Sequence, residues 1–235
     1  MRKIAVFLLC CMFMCMYANV PFTAADEPLM DAYLENDMPA WRTYIHATDW
    51  EHATQAERQR VLAYEYGYCA AMMEVDKHEA QRATQVFHSH VEAMKNSLPE
   101  GYYEMYLSAI YAFEFKLGES FHVFSILRYA NKSLELAPND PIVVGYMGNV
   151  LFYAPKGIGD KKKALALFEK AAMLFESSKW EYCWNRPAML LAAAQCYEKT
   201  GDKQKAISIA NKLLNEFPNF TYIRDIYLPA LRSAK

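Results

Sequence analysis

Glycine is scarce in this chain, 8 of 235 residues, alongside 10 prolines. So few glycines do not supply the tight turns of a many-stranded sheet protein, and they exclude a collagen-like or low-complexity chain. A surplus of either charge is missing too. Lys and Arg number 25 and Asp and Glu 27, a formal net charge of -2, so the basic footprint of a nucleic-acid binder is absent. Beyond residues 1–25 no uninterrupted apolar run approaches the roughly 20 residues that a spanning helix needs. Of 6 cysteines, Cys10, Cys11 and Cys15 fall in that first segment. Cys69, Cys183 and Cys196 remain, an odd and sparse set that makes no disulfide framework. They read either as small buried hydrophobes or, for two of them, as one Cys183–Cys196 bridge. What is abundant is apolar and aromatic: 54% hydrophobic residues, 13 Met and 17 Tyr. That composition fits an all-helical folded chain, neither disordered nor supercharged.

Residues 1–25 stand apart from the rest. Arg2 and Lys3 give a short positive head, Ile4 to Ala18 is apolar, and Thr23-Ala24-Ala25 offers small residues ahead of Asp26. This is the pattern of a secretory signal peptide. Two readings follow, a cleaved leader or a retained anchor, and the first predicts an exported, periplasmic or secreted protein. A lipid-anchoring cysteine wants small residues just before it, whereas Leu8 and Leu9 precede Cys10.

From residue 26 onward the pattern is helix after helix. In Pro187 to Phe220, Ala193, Ala194 and Tyr197 mark one apolar face, Thr200-Gly201-Asp202 breaks it, and Ala206, Ile209, Ala210, Leu213 and Leu214 mark a second. Pro218 stops the second helix, so the unit is a hairpin of two antiparallel helices. The small residues at Ala194 and Ala206, the aromatic Tyr197, the turn glycine Gly201 and the closing Pro218 resemble a tetratricopeptide repeat. Leu190 and Leu213 depart from it, standing where that family favours Trp and Ala. The unit opening at Pro141 repeats the pattern through Gly148, Gly159, Ala164, Phe168 and Ala171, with an enlarged turn around Ala154-Pro155-Lys156-Gly157. Upstream, Tyr102 to Lys116 and Phe121 to Leu136 form a fainter pair closed by Pro138, with Ala130 and Ser133 as its small residues. Ala56 to Val75 and His78 to Lys95 form another, broken at Asp76-Lys77. Leu29–Glu35 and Pro39–Ile45 make a short, degenerate hairpin. The expected organisation is therefore a leader over 1–25, degenerate helical hairpins over 26–98, repeats over 99–220 and a capping helix over 221–235. The fold class is all-α, a stacked superhelix of about five hairpins that share one elongated core. The linker Ser177–Arg186 carries Trp180, Tyr182 and Trp184, which either pack back on the hairpins or form an exposed contact site.

Reactive chemistry is sparse. His88 and His90 are two apart and do not share a helix face. There is no HExxH, no metal-spaced cysteine set, no GxGxxG and no GxSxG, and Gly157-Ile158-Gly159-Asp160-Lys161 lacks the spacing and hydroxyl of a phosphate loop. Cys69 and His122 make a nucleophile–base pair only through a long-range contact. Lys161-Lys162-Lys163 reads as a solvated face or a weak anion site. No cofactor, metal or catalytic residue is expected.

The resemblance implies a non-enzymatic interaction module that binds a peptide or protein segment along the concave face lined by first helices. By register with the family, Asn149, Phe152 and Tyr153 face that groove in one unit, and Gln195, Glu198 and Lys199 in the next. The similarity to exported bacterial members of the family further implies an adaptor of the cell envelope. A structural or assembly subunit of an envelope complex is the alternative, and a glycan- or lipid-binding solenoid a third. The tyrosines of Tyr64-x-Tyr66-x-Tyr68 and of Tyr102, Tyr103, Tyr106 and Tyr111 have two readings, inter-helix packing or recognition. Only Lys199 matches the basic set of a carboxylate-clamp groove.

Overall fold

The computed structural model describes residues 22–118 and 122–233. The leader read over 1–25 lies outside them up to residue 21, together with Cys10, Cys11 and Cys15. Phe121 and residues 234–235 of the expected capping helix also lie outside.

Among the described residues every regular element is helical. The helices are α1 (Glu27–Glu35), α2 (Met38–Ala47), α3 (Gln55–Val75), α4 (Lys77–Ala93), α5 (Tyr102–Leu117), α6 (Val123–Leu136), α7 (Pro141–Tyr153), α8 (Lys161–Leu174), α9 (Asn185–Thr200), α10 (Lys203–Glu216) and α11 (Leu228–Ser233). Local chemistry sets their ends. Thr54 and Glu57 form a reciprocal capping box at the start of α3. Asp76, in extended conformation, ends α3, and its carboxylate accepts from the His78 and Glu79 amides at the start of α4, so one residue turns the chain. Asp140, Asp160 and Asp202 cap α7, α8 and α10 in the same way. Asn36 closes α1 in the left-handed region, and the Asp37 amide reaches back to the Ala32 carbonyl, a Schellman ending.

Successive helices pair as antiparallel hairpins, α3 with α4, α5 with α6, α7 with α8 and α9 with α10. The first helices also touch one another in the order α3, α5, α7, α9. Each second helix is wedged against the first helix of the next pair. The result is a two-layer array of the tetratricopeptide type, with first helices inside and second helices outside. Small residues set the closest crossings. A methyl at Gly148 would lie 2.7 Å from the Phe168 ring, so the glycine lets α8 press that ring against α7. Ala164, Phe168 and Ala171 on one hairpin, and Ala194, Ala206 and Ala210 on the next, are fully buried.

The elements begin within two residues of where the sequence places them, α9 at Asn185 rather than Pro187 among them, with one difference. The capping segment is not one α-helix: Ile223–Tyr227 is a π-helical turn that leads into α11. Pro229 has no N–H to return to the Asp225 carbonyl, and the widened turn precedes it.

Two cores result. The larger runs from Phe22 through α9. The smaller joins the two ends of the described chain, packing Met30 and Leu34 of α1 against Ala194, Phe220, Ile223 and Leu231. Thr221 Oγ1 donates to the Leu34 carbonyl at 3.1 Å, and Asn219 Nδ2 to Asp31 Oδ1 at 3.0 Å. The array therefore closes on itself. No described helix is long and apolar enough to cross a membrane.

Candidate partner-binding surface

The inner helices present less open surface than their number suggests, because aromatic side chains fill the space between them. Trp184, just before α9, lies 5.1 Å from Trp41 and 5.6 Å from Tyr33, ring centre to ring centre. Tyr66 of α3 reaches Tyr106, Phe113, Tyr146 and Trp184 at 6.1 to 6.2 Å. Gly67 makes room for this cluster. A methyl there would stand 2.5 Å from Trp41 and 2.8 Å from Trp184. Tyr64, Tyr68, Tyr102, Tyr106 and Tyr146 are all buried, so packing accounts for most of the tyrosines. The hydroxyls of Tyr64, Tyr68, Tyr102 and Tyr146 have polar partners, Asp140 being that of Tyr102. Tyr64 donates to Asp26 Oδ1 at 2.9 Å, Tyr68 to Glu79 Oε1 at 2.9 Å and Tyr146 to Ser108 Oγ at 2.8 Å. Burial holds the Tyr64, Tyr102, Tyr106 and Tyr146 hydroxyls well above the ordinary phenol range. Tyr103, adjacent to buried Tyr102, turns outward and donates to Glu92 at 2.8 Å. Trp180 and Trp184 of the linker are buried too, so it packs back on the hairpins.

The residues read from sequence as groove-facing occupy graded positions. Asn149 is half-buried, and its amide Nδ2 lies 3.8 Å from Met189 Sδ on the neighbouring first helix. Phe152 is half-buried, edge-on to Phe168 at 6.3 Å and to Tyr153 at 4.8 Å. Tyr153 is 68% exposed at the end of α7. Its hydroxyl faces Gln195 Oε1 of α9 at 3.5 Å. Burial, and secondarily Tyr153, raises the Tyr33 and Tyr66 hydroxyls above the ordinary phenol range. Gln195 is half-buried and Lys199, one turn on, is exposed. The structure thus brings Tyr153 and Gln195 together across two first helices and leaves Lys199 in solvent. Beside them a cleft of about 280 Å³ opens where α1 meets α9 and the segment Phe220–Ile226. Sequence reasoning missed this cleft, because it depends on contacts between the two ends of the chain such as Thr221 with Leu34, 187 positions apart.

Sequence reasoning also missed a buried acid. Glu65 of α3 is 3% exposed, with Oε1 held by His90 Nδ1 of α4 at 2.8 Å and Oε2 without a partner. Trp50 stacks flat on the His90 ring at 3.6 Å. Burial raises the Glu65 carboxyl, and the neighbouring His90 and then His46 oppose that rise. A lone carboxylate inside the apolar run Val61–Tyr68 was the available signal.

Catalytic chemistry has little to work with. Cys69, Cys183 and Cys196 are free and buried, so no Cys183–Cys196 bridge forms. Burial pushes all three thiols above their ordinary range, away from the reactive thiolate. His122 lies against Glu114 and Tyr111, whereas the Cys69 thiol bonds Thr84. Among the described residues no three His, Cys, Asp or Glu side chains are grouped to hold a metal.

Comparison with protein families finds a tetratricopeptide repeat over residues 188–219, which spans α9, the Gly201 turn and α10. No curated protein matches the chain. The matched hairpin has fully buried Ala194, Ala206 and Ala210, and such repeats are non-catalytic scaffolds. A tetratricopeptide-like helical array of this kind is consistent with holding another protein.

Proposed function

We propose that this protein is a non-enzymatic interaction scaffold of the bacterial cell envelope, holding a peptide or protein segment on the inner side of its helical array. The observation that carries the reading is Tyr153. It is 68% exposed at the edge of an aromatic interior, and its hydroxyl faces Gln195 on the neighbouring first helix. A Tyr with a free face and a hydrogen-bonding tip suits an interface anchor. The pattern of residues 1–25 supports export to the periplasm or beyond. The assembly-subunit reading draws on a different observation, Phe124 at 81% and Met173 at 65% exposure on the outer helices.

Affinity capture from an envelope extract tests both. The Asn149→Ala/Tyr153→Ala double variant should lose the captured partner while keeping its melting temperature within a few degrees. Capture that survives this variant but fails in Phe124→Ser/Met173→Ser would move the contact to the outer layer and reject the inner groove.

A further inference from the structure

The cleft at the closure point has an electrostatic character that follows from the sequence of α1. From Asp26 to Asp37 the chain carries Asp26, Glu27, Asp31, Glu35 and Asp37 and no Lys or Arg. Asp26 is buried against Tyr64 and Arg60, and Asp31 accepts from Asn219. Glu35 and Asp37 flank Asn36, one of the residues lining the cleft. Both are exposed and make no ion pair among the described residues. The C-terminal end of α1 also comes to the cleft, through Tyr33 and Asn36, and a helix C-terminus carries partial negative charge. Asp225 at the opposite lip is matched by its own neighbour Arg224 at 2.8 Å, so that pair adds no net charge. Lys199 is the exposed cation of the α9 side, about 12 Å along the helix from the lining residue Leu191. The walls themselves are apolar, built from Tyr33, Leu191, Phe220 and Ile226, the last 59% exposed.

An apolar cleft with a carboxylate-rich lip fits one kind of occupant. We propose that it takes an aromatic or aliphatic side chain of a partner peptide whose adjacent residues are Lys or Arg. The apolar side chain fills the space between Leu191, Phe220 and Ile226, and the cation lies against Glu35 and Asp37 at the end of α1. This specification rests on the interaction-scaffold reading and names the partner chemistry for its inner side. It also makes α1 part of the site, since the lip is absent unless the two ends of the array meet.

The test is selection of a random dodecapeptide library against the full exported chain. Synthetic forms of the enriched peptides are then titrated by fluorescence anisotropy. The expected result is enrichment of sequences that join an apolar residue to Lys or Arg. Their affinity should fall about fivefold in Glu35→Gln/Asp37→Asn, and should weaken as salt rises from about 50 to 300 mM. They should also lose affinity in Ile226→Ser, with melting curves reporting that all variants are folded. Enriched acidic or uncharged peptides that still depend on Ile226 would overturn the cationic specification and keep the scaffold reading. Peptides that respond to Asn149→Ala/Tyr153→Ala but not to Ile226→Ser would overturn the cleft. Enrichment of nothing, or of peptides indifferent to every variant, would overturn both.

Discussion

The hairpins α9/α10 and α3/α4 pair in the same antiparallel way, yet one buries an alanine seam and the other buries polar side chains. In α9/α10 the crossing is made by Ala194, Ala206 and Ala210, all fully buried, with Leu213 filling the space beside them. In α3/α4 the facing contacts are polar-tipped, Tyr68 to Glu79 and Glu65 to His90, beside the buried Ala80 and Thr84 of α4. Arg82 in turn holds Glu79 at 2.6 Å. Small residues bring helices close without any polar debt. Buried Tyr, Glu and His side chains bring polar atoms inside that need partners, and in α3/α4 Glu65 Oε2 is left without one. The first solution is the one a repeat model matches.

Trp184→Ala should do the most damage, because that ring ties the start of α9 to α1, α2 and α3. Removing it from Tyr33, Trp41 and Tyr66 should cost about 3–5 kcal/mol in denaturant unfolding. Ala206→Leu tests the small-residue hairpin. Overpacking a fully buried crossing should cost about 1–3 kcal/mol, with lost hydrogen-exchange protection concentrated in α9 to α11. A variant with wild-type stability would show that this crossing is looser than its alanines suggest. Tyr68→Phe tests the polar-tipped hairpin and should cost about 1–2 kcal/mol by leaving Glu79 without the buried phenol. Loss of that amount only in an Arg82→Ala background would transfer the role to the ion pair.

Smallest is a pH effect at Glu65. Its folded-state carboxyl is raised by burial, so its contribution to stability is fully present below the unfolded-state range and is lost as pH rises through the folded one. His90 and His46 face it and oppose the loss. Glu65→Gln has no charge to bury. The stability of wild type relative to this variant should therefore decline from the acid end of the carboxylate range toward neutrality, read as paired melting temperatures. A flat difference would mean that His90 fully compensates the buried charge.

The contrast between the hairpins also explains what the sequence made legible. Gly148, Ala164, Ala194, Gly201 and Ala206 recur at fixed spacings because close helix approach tolerates few residue types there, so fold class and hairpin boundaries could be read directly. Asp76, Asp140, Asp160 and Asp202 cap helices in the structure, a short-acceptor signal that the reading of turns and prolines did not use. The inner surface was less legible. Register alone placed Asn149, Phe152 and Tyr153 on one face, yet it could not reveal that Met189 covers the first or that Trp184 fills the space between first helices. Those facts come from pairings between distant repeats. The lip formed by Glu35 and Asp37 belongs to the same class, since an acidic stretch becomes part of a cleft only where Phe220 and Ile226 arrive beside it.

The bond from Thr221 to the Leu34 carbonyl spans 187 positions of sequence, and its meaning is mechanical as much as static. A linear stack of repeats unzips from its terminal units, because each unit leans only on its neighbours. Here α1 leans on the segment 219–221 that follows α10, so the first unit is not free to unzip by itself. Breaking α1 away from Phe220 and Ile223 costs the array both of its ends at once. Loss of order is then a concerted event, and amide exchange in α1 and in α10 should report a common opening free energy.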